Sequence, residues 1–271
     1  MKAKKILFIN QEIVPYVQES EMSEMGRFLP QAIQEKGYEI RTFMPKWGNI
    51  NERRGQLHEV IRLSRMMLIM DETDHPLIIK VASIPSTRIQ VYFIDNDDFF
   101  LRRQMAVDEN GNEYDDNGER AAFFARGVLE TVKKLRWTPD IIHCQGWMSS
   151  VIPLYIKTAY NDEPSFANAK VVTSLFKDEL TKPFDDTFRR SIEHKSATSD
   201  ILDNYNSNFD FLELNKLAID YSDGIVEVSD GIRQDILDYA KSKNLPYMKY
   251  TKTDNENIAD VFDQFYDTVL D

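Results

Sequence analysis

Polar side chains at the ends of short apolar runs are the first residues in this sequence that could do chemistry. His143 lies near the end of the apolar run 141–144, and Lys177, Asp178 and Glu179 follow the run 170–175. Ligands of parallel sheets bind at the carboxyl ends of strands, where these side chains could transfer protons or hold charge. A lone histidine at a strand end is more often structural, however, and nothing in the sequence orients the polar triplet.

No residue pattern predicts a metal or a cofactor. The acidic segment 108–119 places oxygen-bearing side chains at several EF-hand positions, but its sixth residue is Glu113 where the sharp turn needs glycine. The histidines have no zinc spacing, and the single cysteine, Cys144, provides neither a thiolate cluster nor an internal disulfide. Glycine-rich phosphate loops are absent from the sequence as well. We therefore expect segment 108–119 to be an exposed acidic loop.

Charge and hydropathy narrow the classes of partner. The formal net charge is −12, from 33 basic and 45 acidic side chains, and a surface this negative repels a phosphate backbone. A neutral glucan would be indifferent to that charge. No apolar stretch approaches the roughly 18 residues that a membrane-spanning helix needs, and the amino terminus has no signal-peptide pattern. We expect a cytoplasmic protein that binds neither nucleic acid nor membrane.

The sequence alternates between predicted strands and predicted helices. In a parallel sheet this alternation places the polar residues that follow the strands at one edge of the sheet. A strand is predicted at 6–10, then a helix whose apolar residues recur at helical spacing, with Ser20 or Ser23 as its cap and Gly37 as its end. A strand at 38–44 completes a unit that favours a parallel, right-handed crossover.

The rest of the chain continues this alternation. Residues 57–70 and 77–83 predict a β-hairpin, whereas 183–208 is polar, has few apolar anchors and is expected to be a mobile excursion. Further strands are predicted at 90–94, 141–144, 170–175 and 224–228, and further helices at 119–136, 148–159, 211–221, 231–242 and from 258 onwards. The pattern predicts one Rossmann-like, doubly wound, mostly parallel sheet with helices on both faces and a small hairpin excursion. We expect a domain over 1–246, then a linker and a carboxy-terminal helix over 247–271 that packs back on it.

Several segments, taken in order, resemble glycogen/starch synthases of the bacterial type. The opening strand with Glu12 and Pro15 resembles the family's first strand and substrate loop. The other matching segments are QVYFIDNDDFFLR at 90–102, the Tyr-x-Asp-Asn-x-x-Arg element at 114–120, PDIIHCQGW at 139–147 with PLY at 153–155, and KLAIDYSD at 216–223. Together they cover most of residues 3–240.

The resemblance implies half of a two-domain glycosyltransferase fold that transfers glucose from ADP-glucose to an α-1,4-glucan. On this basis the donor-binding second domain is expected to be lacking, so that the chain would be inactive alone. Whether a separate polypeptide supplies that domain is left open. The ligands that the resemblance implies are an α-glucan or a sugar nucleotide.

The family's donor loop carries Lys-Thr-Gly-Gly, and here the aligned residues are Gln18, Glu19, Ser20 and Glu21. With Tyr16, these are the positions that the resemblance assigns to the donor or substrate loop. A cation is lost and two carboxylates are gained, which repel a diphosphate. The change implies either an altered ligand or a loop that has drifted at a helix amino terminus, where acidic side chains are favourable.

The resemblance also implies residues of the acceptor cleft, namely His143, Gln145, Trp147, Asp116 and Asn117. The family's His-Asp-Trp element reads Gln145, Gly146 and Trp147 here, so its aspartate is lost. Its catalytic histidine aligns with Leu175, which cannot transfer a proton, so the catalytic residues are unknown. We expect the rings of Tyr16 and Trp147 to face the cleft.

Two functions of different classes follow from these substitutions. The chain could be one half of a glycogen/starch synthase-like enzyme. Alternatively, it could be a non-catalytic glucan-binding or regulatory pseudoenzyme that keeps the fold for its surface. The lost lysine, aspartate and histidine favour the second function, because a partner chain could not restore them.

Overall fold

A computed structural model of the chain describes residues 3–101, 104–251 and 257–271. Its first unit consists of strand β1 (Lys5–Asn10), helix α1 (Glu21–Glu35) and strand β2 (Glu39–Pro45). Ser20 and Ser23 cap α1 reciprocally, each side chain accepting a hydrogen bond from the backbone N–H of the other, and Gly37 follows the helix end with φ 102°. The predicted strand, cap and helix end are thus confirmed.

An antiparallel extension follows the first unit. It contains α2 (Glu52–Gly55), β3 (His58–Glu59), β4 (Met66–Met70), β5 (Thr73–Ser83) and β6 (Gln90–Asp95). Strands β4 and β5 form the predicted hairpin, although most of the residues preceding Met66 are loop rather than strand.

The second half of the chain returns to parallel strands separated by helices. These elements are α3 (Asp97–Phe100), α4 (Asn117–Lys134), β7 (Ile141–Gln145), α5 (Ile152–Lys157), β8 (Lys170–Leu175), α6 (Asp186–Ser191), α7 (Phe211–Asp220), β9 (Gly224–Glu227), α8 (Gln234–Ser242), β10 (Tyr247–Lys249) and α9 (Ile258–Leu270). None of the helices in the described parts of the chain is both long and apolar enough to cross a membrane.

One mixed, mostly parallel sheet joins these strands in the order β10-β9-β8-β7-β1-β2-β6-β5-β3, and β4 pairs with β5. From β10 to β6 every pair is parallel, whereas β5 runs antiparallel to β6. The chain winds outward from β1 in one direction through β2 and β6, then in the other through β7, β8 and β9. Right-handed crossovers in opposite directions place helices on opposite faces. The predicted doubly wound fold is confirmed.

Segment 183–208 corrects one expectation, because it is packed rather than a mobile excursion. It contains α6 and a 3₁₀ turn at Ser199–Asn204, and Phe188, Ile192 and Leu202 are buried. Phe188 also contacts the rings of Phe184 and Phe209 at centroid distances of 5.0 and 5.6 Å. The few apolar side chains of this segment pack into one buried cluster. They do not recur at a regular spacing, so the sequence shows no periodic pattern that would predict the packing.

The carboxy-terminal segment differs from the expectation at 247–249, where an edge strand, β10, stands in place of a linker. Helix α9 packs against α1 and β8, and its buried residues include Phe262, Phe265 and Tyr266. Lys36 of α1 forms ion pairs with Asp260 and Asp263 of α9. This helix therefore covers apolar side chains of the sheet that solvent would otherwise reach.

Candidate functional site

The carboxyl ends of β1, β7, β8 and β9 form the edge of the sheet where the winding direction reverses, and we call it the switch-point edge. Ligands of open α/β sheets bind at such an edge. A pocket of about 160 Å³ opens there. Its lining residues are Glu12, Ser20, Glu21, Met22, Phe176, Lys177, Asp178 and Ser229.

The amino terminus of α1, which points into this pocket, is already faced by carboxylates. Ser20 Oγ donates a hydrogen bond of 2.7 Å to Glu12 Oε2, and Ser229 Oγ donates one to Glu21. The same Ser20 hydroxyl accepts from the backbone N–H of Ser23 at 3.0 Å. Negative side chains are favourable at the positive end of a helix dipole. The end of α1 that could hold a phosphate therefore already has its anions within the chain.

Asp178 adds a third carboxylate to the pocket. Its Oδ2 is buried and has no hydrogen-bond partner among the described residues. Burial, and secondly the negative charge of Glu12, raise the pKa of Asp178 to about 7. Lys177 is exposed and is the only cation among the described residues that line the pocket. Carboxylates therefore outnumber cations here, and the pocket is unfavourable for a diphosphate unless protons or counter-ions accompany it.

His143 lies on β7 but is closed off from the pocket. Its ring is fully buried, and its Nδ1 and Nε2 lie 2.7 Å from the hydroxyls of Tyr266 and Ser174, respectively. Burial lowers the pKa of His143 to about 3, so the ring is neutral at physiological pH. One hydroxyl must then donate to the ring and the other accept from it. In this arrangement His143 joins strands β7 and β8 to helix α9.

The residues after His143 are also buried. Gln145 has no exposed surface, and neither polar atom of its side-chain amide has a hydrogen-bond partner among the described residues. Trp147 is 4% exposed. Between them Gly146 has φ 83° and ψ 165°, which is backbone geometry essentially restricted to glycine. A Cβ on Gly146 would approach Gln11 Oε1 to 2.6 Å.

Tyr16 is 8% exposed and packs edge-on against Phe93, with ring centroids 4.9 Å apart. Both rings that were expected to face a cleft, those of Tyr16 and Trp147, are thus mostly covered by the protein itself. Gln18 and Glu19 are exposed on the loop before α1. Direct contact of any of these residues with a sugar or nucleotide stays a prediction.

Asn117 has an internal partner for each side-chain atom. Its Oδ1 accepts from the fully buried Arg120 at 2.8 Å, and its Nδ2 donates to the carbonyl of Ala106 at 3.0 Å. Arg120 also donates to the carbonyl of Phe99. Asn117 lines a second pocket of about 240 Å³ with the segments around Glu113 and Lys182, and Asp116 begins the same helix. The Tyr-x-Asp-Asn-x-x-Arg element thus anchors the preceding loop.

Residues 108–116 form the expected acidic loop, whereas 117–119, which were expected to belong to it, form the buried first turn of α4. Asp108 Oδ1 accepts hydrogen bonds of 2.8 Å from the backbone N–H groups of both Asn110 and Asn112, which uses the carboxylate to close the turn. Among the described residues, no three histidine, cysteine or acidic side chains converge as metal ligands.

The structure brings Ser20, Glu21, Lys177 and Asp178 to one pocket and adds Glu12 and Ser229, which the sequence analysis did not select as site residues. Both additions lie just beyond strand ends, at β1 and β9. A polar residue just after a strand end is a usable sequence signal for a site residue. It identifies which residues share a pocket only once the order of the strands in the sheet is known. Leu175, the last residue of β8, is buried and presents no polar group to the pocket.

Comparisons with known proteins identify relatives of this chain. Residues 5–248 match the family model described as the starch synthase catalytic domain. The chain is 41% identical over 172 residues to the glycogen synthase of Chlorobium luteolum, covering 63% of this chain and 35% of that protein. It is 32% identical over 233 residues to the glycogen synthase of Chlorobaculum parvum, covering 86% of this chain and 47% of that protein. The chain thus spans less than half the length of these relatives.

A solved structure has the same fold. The catalytic domain of starch synthase IV from Arabidopsis thaliana, bound to ADP and acarbose, superposes with a TM-score of 0.72. The alignment covers 93% of this chain and 52% of that one, at 16% sequence identity.

Proposed function

We propose that this chain, which belongs to the family of starch synthase catalytic domains, is a glucan-facing domain of the glycogen/starch synthase type. In this proposal the domain does not by itself transfer glucose from ADP-glucose to an α-1,4-glucan. The observation that carries the proposal is the charge of the switch-point edge, where Glu12, Glu21 and Asp178 line a pocket whose one described cation is Lys177.

Glucosyl transfer from a nucleotide sugar requires groups that stabilise the leaving diphosphate, usually cations and backbone N–H groups in a water-excluded site. The aligned loop offers Gln18 in place of the family's lysine, and α1 directs its amino terminus at Glu12 and Glu21. Leu175 offers no proton at the reacting sugar. A second domain carrying the donor site, on this or another polypeptide, would have to stabilise the diphosphate with groups of its own.

Donor binding tests the electrostatic part of this proposal. We expect calorimetry to detect no ADP binding to the wild type. At about pH 8, where Asp178 with its pKa of about 7 is ionised, a variant with Glu12→Gln, Glu21→Gln and Asp178→Asn should gain affinity for ADP by about tenfold or more, because each removed charge lies near the helix end. The matched control carries Asp162→Asn, Glu193→Gln and Asp238→Asn, which change the net charge equally at exposed positions. Equal affinity of the two variants for ADP would contradict the role of the edge.

Activity is tested by incorporation of radiolabelled glucose from ADP-glucose into glycogen. The pure chain should incorporate no more than a blank without protein, and incorporation above that blank would refute the proposal. Adding the donor-binding half of the Chlorobium luteolum glycogen synthase should produce transfer if the edge can still serve an assembled site.

The second candidate is a non-catalytic glucan-binding or regulatory protein, and His143 favours it. That ring is buried, neutral and bonded on both sides, so no added domain can recruit it without opening the interface with α9. Continued inactivity in the mixing experiment, together with retardation in glycogen-containing gels, would support this candidate. Migration unaffected by glycogen would argue against glucan binding in either form.

A further inference from the structure

A pocket away from the switch-point edge has features that the proposed function does not use. It has a volume of about 740 Å³, within the size range of small-molecule sites. Pro15 and Tyr16 form one end, and residues 49–51, 54–56 and 83–87 form the rest. Ser83 pairs with Gln90, the first residue of β6, so the pocket extends toward the opposite end of the sheet from the switch-point edge. We call it the face pocket.

None of the described residues that line the face pocket carries a carboxylate, although the chain has 45 acidic residues. Glu52 is the acidic residue nearest in sequence to Arg54, and its carboxylate is held by Lys46 at 2.8 Å and Lys80 at 2.7 Å. Arg54, which lines the pocket, forms no ion pair with any described carboxylate and is exposed. A positive charge is therefore presented to the pocket without an internal anion.

Tyr16 supplies a second unsatisfied donor. Tyr16 is more than nine-tenths buried, and its phenolic hydroxyl has no hydrogen-bond partner among the described residues. Burial raises the pKa of Tyr16 to about 12, so the hydroxyl keeps its proton and can donate it in a hydrogen bond. A buried polar group without a partner is unusual in a folded protein and calls for a ligand or water.

Helix α2, which carries Arg54, packs against the ring of Tyr16. A Cβ on Gly55 would lie only 3.3 Å from the Tyr16 ring, so the backbone of α2 approaches the ring directly. Arg27 of α1 is also near enough to act electrostatically on Tyr16, and its Nε is buried without a hydrogen-bond partner. Arg54 and Tyr16 therefore line one pocket together, and none of its described lining residues is acidic.

We propose that the face pocket binds a small phosphorylated ligand, with Arg54 and Tyr16 donating hydrogen bonds to the phosphate oxygens. Guanidinium and hydroxyl donors suit a phosphate, and charge-assisted hydrogen bonds of this kind are strong. The volume exceeds what free phosphate needs, and the amides of Asn49 and Asn51 suit the hydroxyls of a sugar. The shared chemistry is the phosphate group, carried by a sugar phosphate or by inorganic phosphate.

Calorimetric titration of the whole chain tests this assignment with glucose 6-phosphate, inorganic phosphate and glucose as probes. We expect glucose 6-phosphate to bind, glucose not to bind, and the affinity to fall as salt is raised. If inorganic phosphate binds as tightly as the sugar phosphate, the natural source is free phosphate. If it binds more weakly, the sugar contributes contacts.

The variants Tyr16→Phe and Arg54→Gln should each raise the Kd by about tenfold or more, since each removes one donor to a charged group. Arg53→Gln is the matched control, because Arg53 is exposed on the same helix but does not line the pocket. Its Kd should stay within about twofold of the wild type. Thermal unfolding of every variant checks that folding is preserved.

Absence of binding by any phosphate compound at millimolar concentration would overturn the proposal. So would unchanged affinity in both Tyr16→Phe and Arg54→Gln, or glucose binding as tightly as its phosphate. None of these results depends on glucosyl transfer or on ADP binding, so failure here is distinguishable from failure of the proposed function.

Discussion

Gly146 offers the sharpest test of how this chain departs from its family. The resemblance places an aspartate at this position, and the structure predicts that no side chain fits here. With φ 83° and ψ 165°, a residue other than glycine costs about 1–3 kcal/mol in backbone strain alone. A Cβ would also lie 2.6 Å from Gln11 Oε1, 2.8 Å from Gln11 Cβ and 2.9 Å from the sulfur of Met22. Such overpacking adds about 1–3 kcal/mol.

We therefore expect Gly146→Ala to lower the free energy of unfolding by about 2–6 kcal/mol. Gly111→Ala is the matched control, because Gly111 has nearly the same φ, 82°, but no atom within 4 Å of an added Cβ. This control should show the cost of a positive φ without the clash. Gly146→Asp should be at least as destabilising as Gly146→Ala, because its carboxylate would enter the packed space beside Gln11 and Met22.

Urea unfolding measures these differences, provided that the slope m is unchanged between variants. A double-mutant cycle with Gln11→Ala should recover only the part of the clash of about 1–3 kcal/mol that Gln11 Oε1 causes, because Gln11 Cβ and the Met22 sulfur remain in place. If Gly146→Ala unfolds within about 0.5 kcal/mol of the wild type, or no more easily than Gly111→Ala, then the close contact with Gln11 does not constrain this position and the reasoning fails.

Three further predictions concern the buried polar groups and the last helix. Tyr266→Phe should lower the free energy of unfolding by about 1–3 kcal/mol, because His143 Nδ1 loses its buried partner; an unchanged melting temperature would count against that bond. Removing residues 257–271 should lower the free energy of unfolding by on the order of 5–10 kcal/mol, since Phe262, Phe265 and Tyr266 are buried. A truncated chain that melts at the same temperature would show that α9 does not stabilise the domain. Burial, and secondly the charges of Asp185 and Asp116, raise the pKa of Glu119 from 4.5 to about 7. The folded state therefore holds this proton more tightly than the unfolded state, and stability should be lost as pH rises from about 4.5 to about 7. Glu119→Gln should remove that loss and gain roughly 3 kcal/mol at pH 8 but nothing at pH 4, as measured by urea unfolding at each pH; an equal gain at both pH values would contradict the titration.

Local patterns predicted most of the elements correctly. The strand at Lys170–Leu175, the capped helix α1 and the end at Gly37 each depend on neighbours within a few residues, so their signals lie in the local sequence. The prediction of a mobile excursion at 183–208 was wrong, because this segment is held by contacts between rings that are distant in sequence. Phe188 and Phe209, for example, meet only in the folded chain.

The candidate site divides in the same way. The sequence by itself determined the family resemblance, the acidic replacements at Glu19 and Glu21, and the loss of a proton-transfer group at Leu175, since these are facts of residue type. Only the tertiary structure decided that His143 is bonded to Tyr266, 123 residues away, and that Asp178 joins Glu12 in one pocket. It also decided that Tyr16 lines a pocket with Arg54 and does not line the pocket at the switch-point edge. Burial and charge proximity depend on which strands become neighbours, and that order is fixed by packing over the whole sheet.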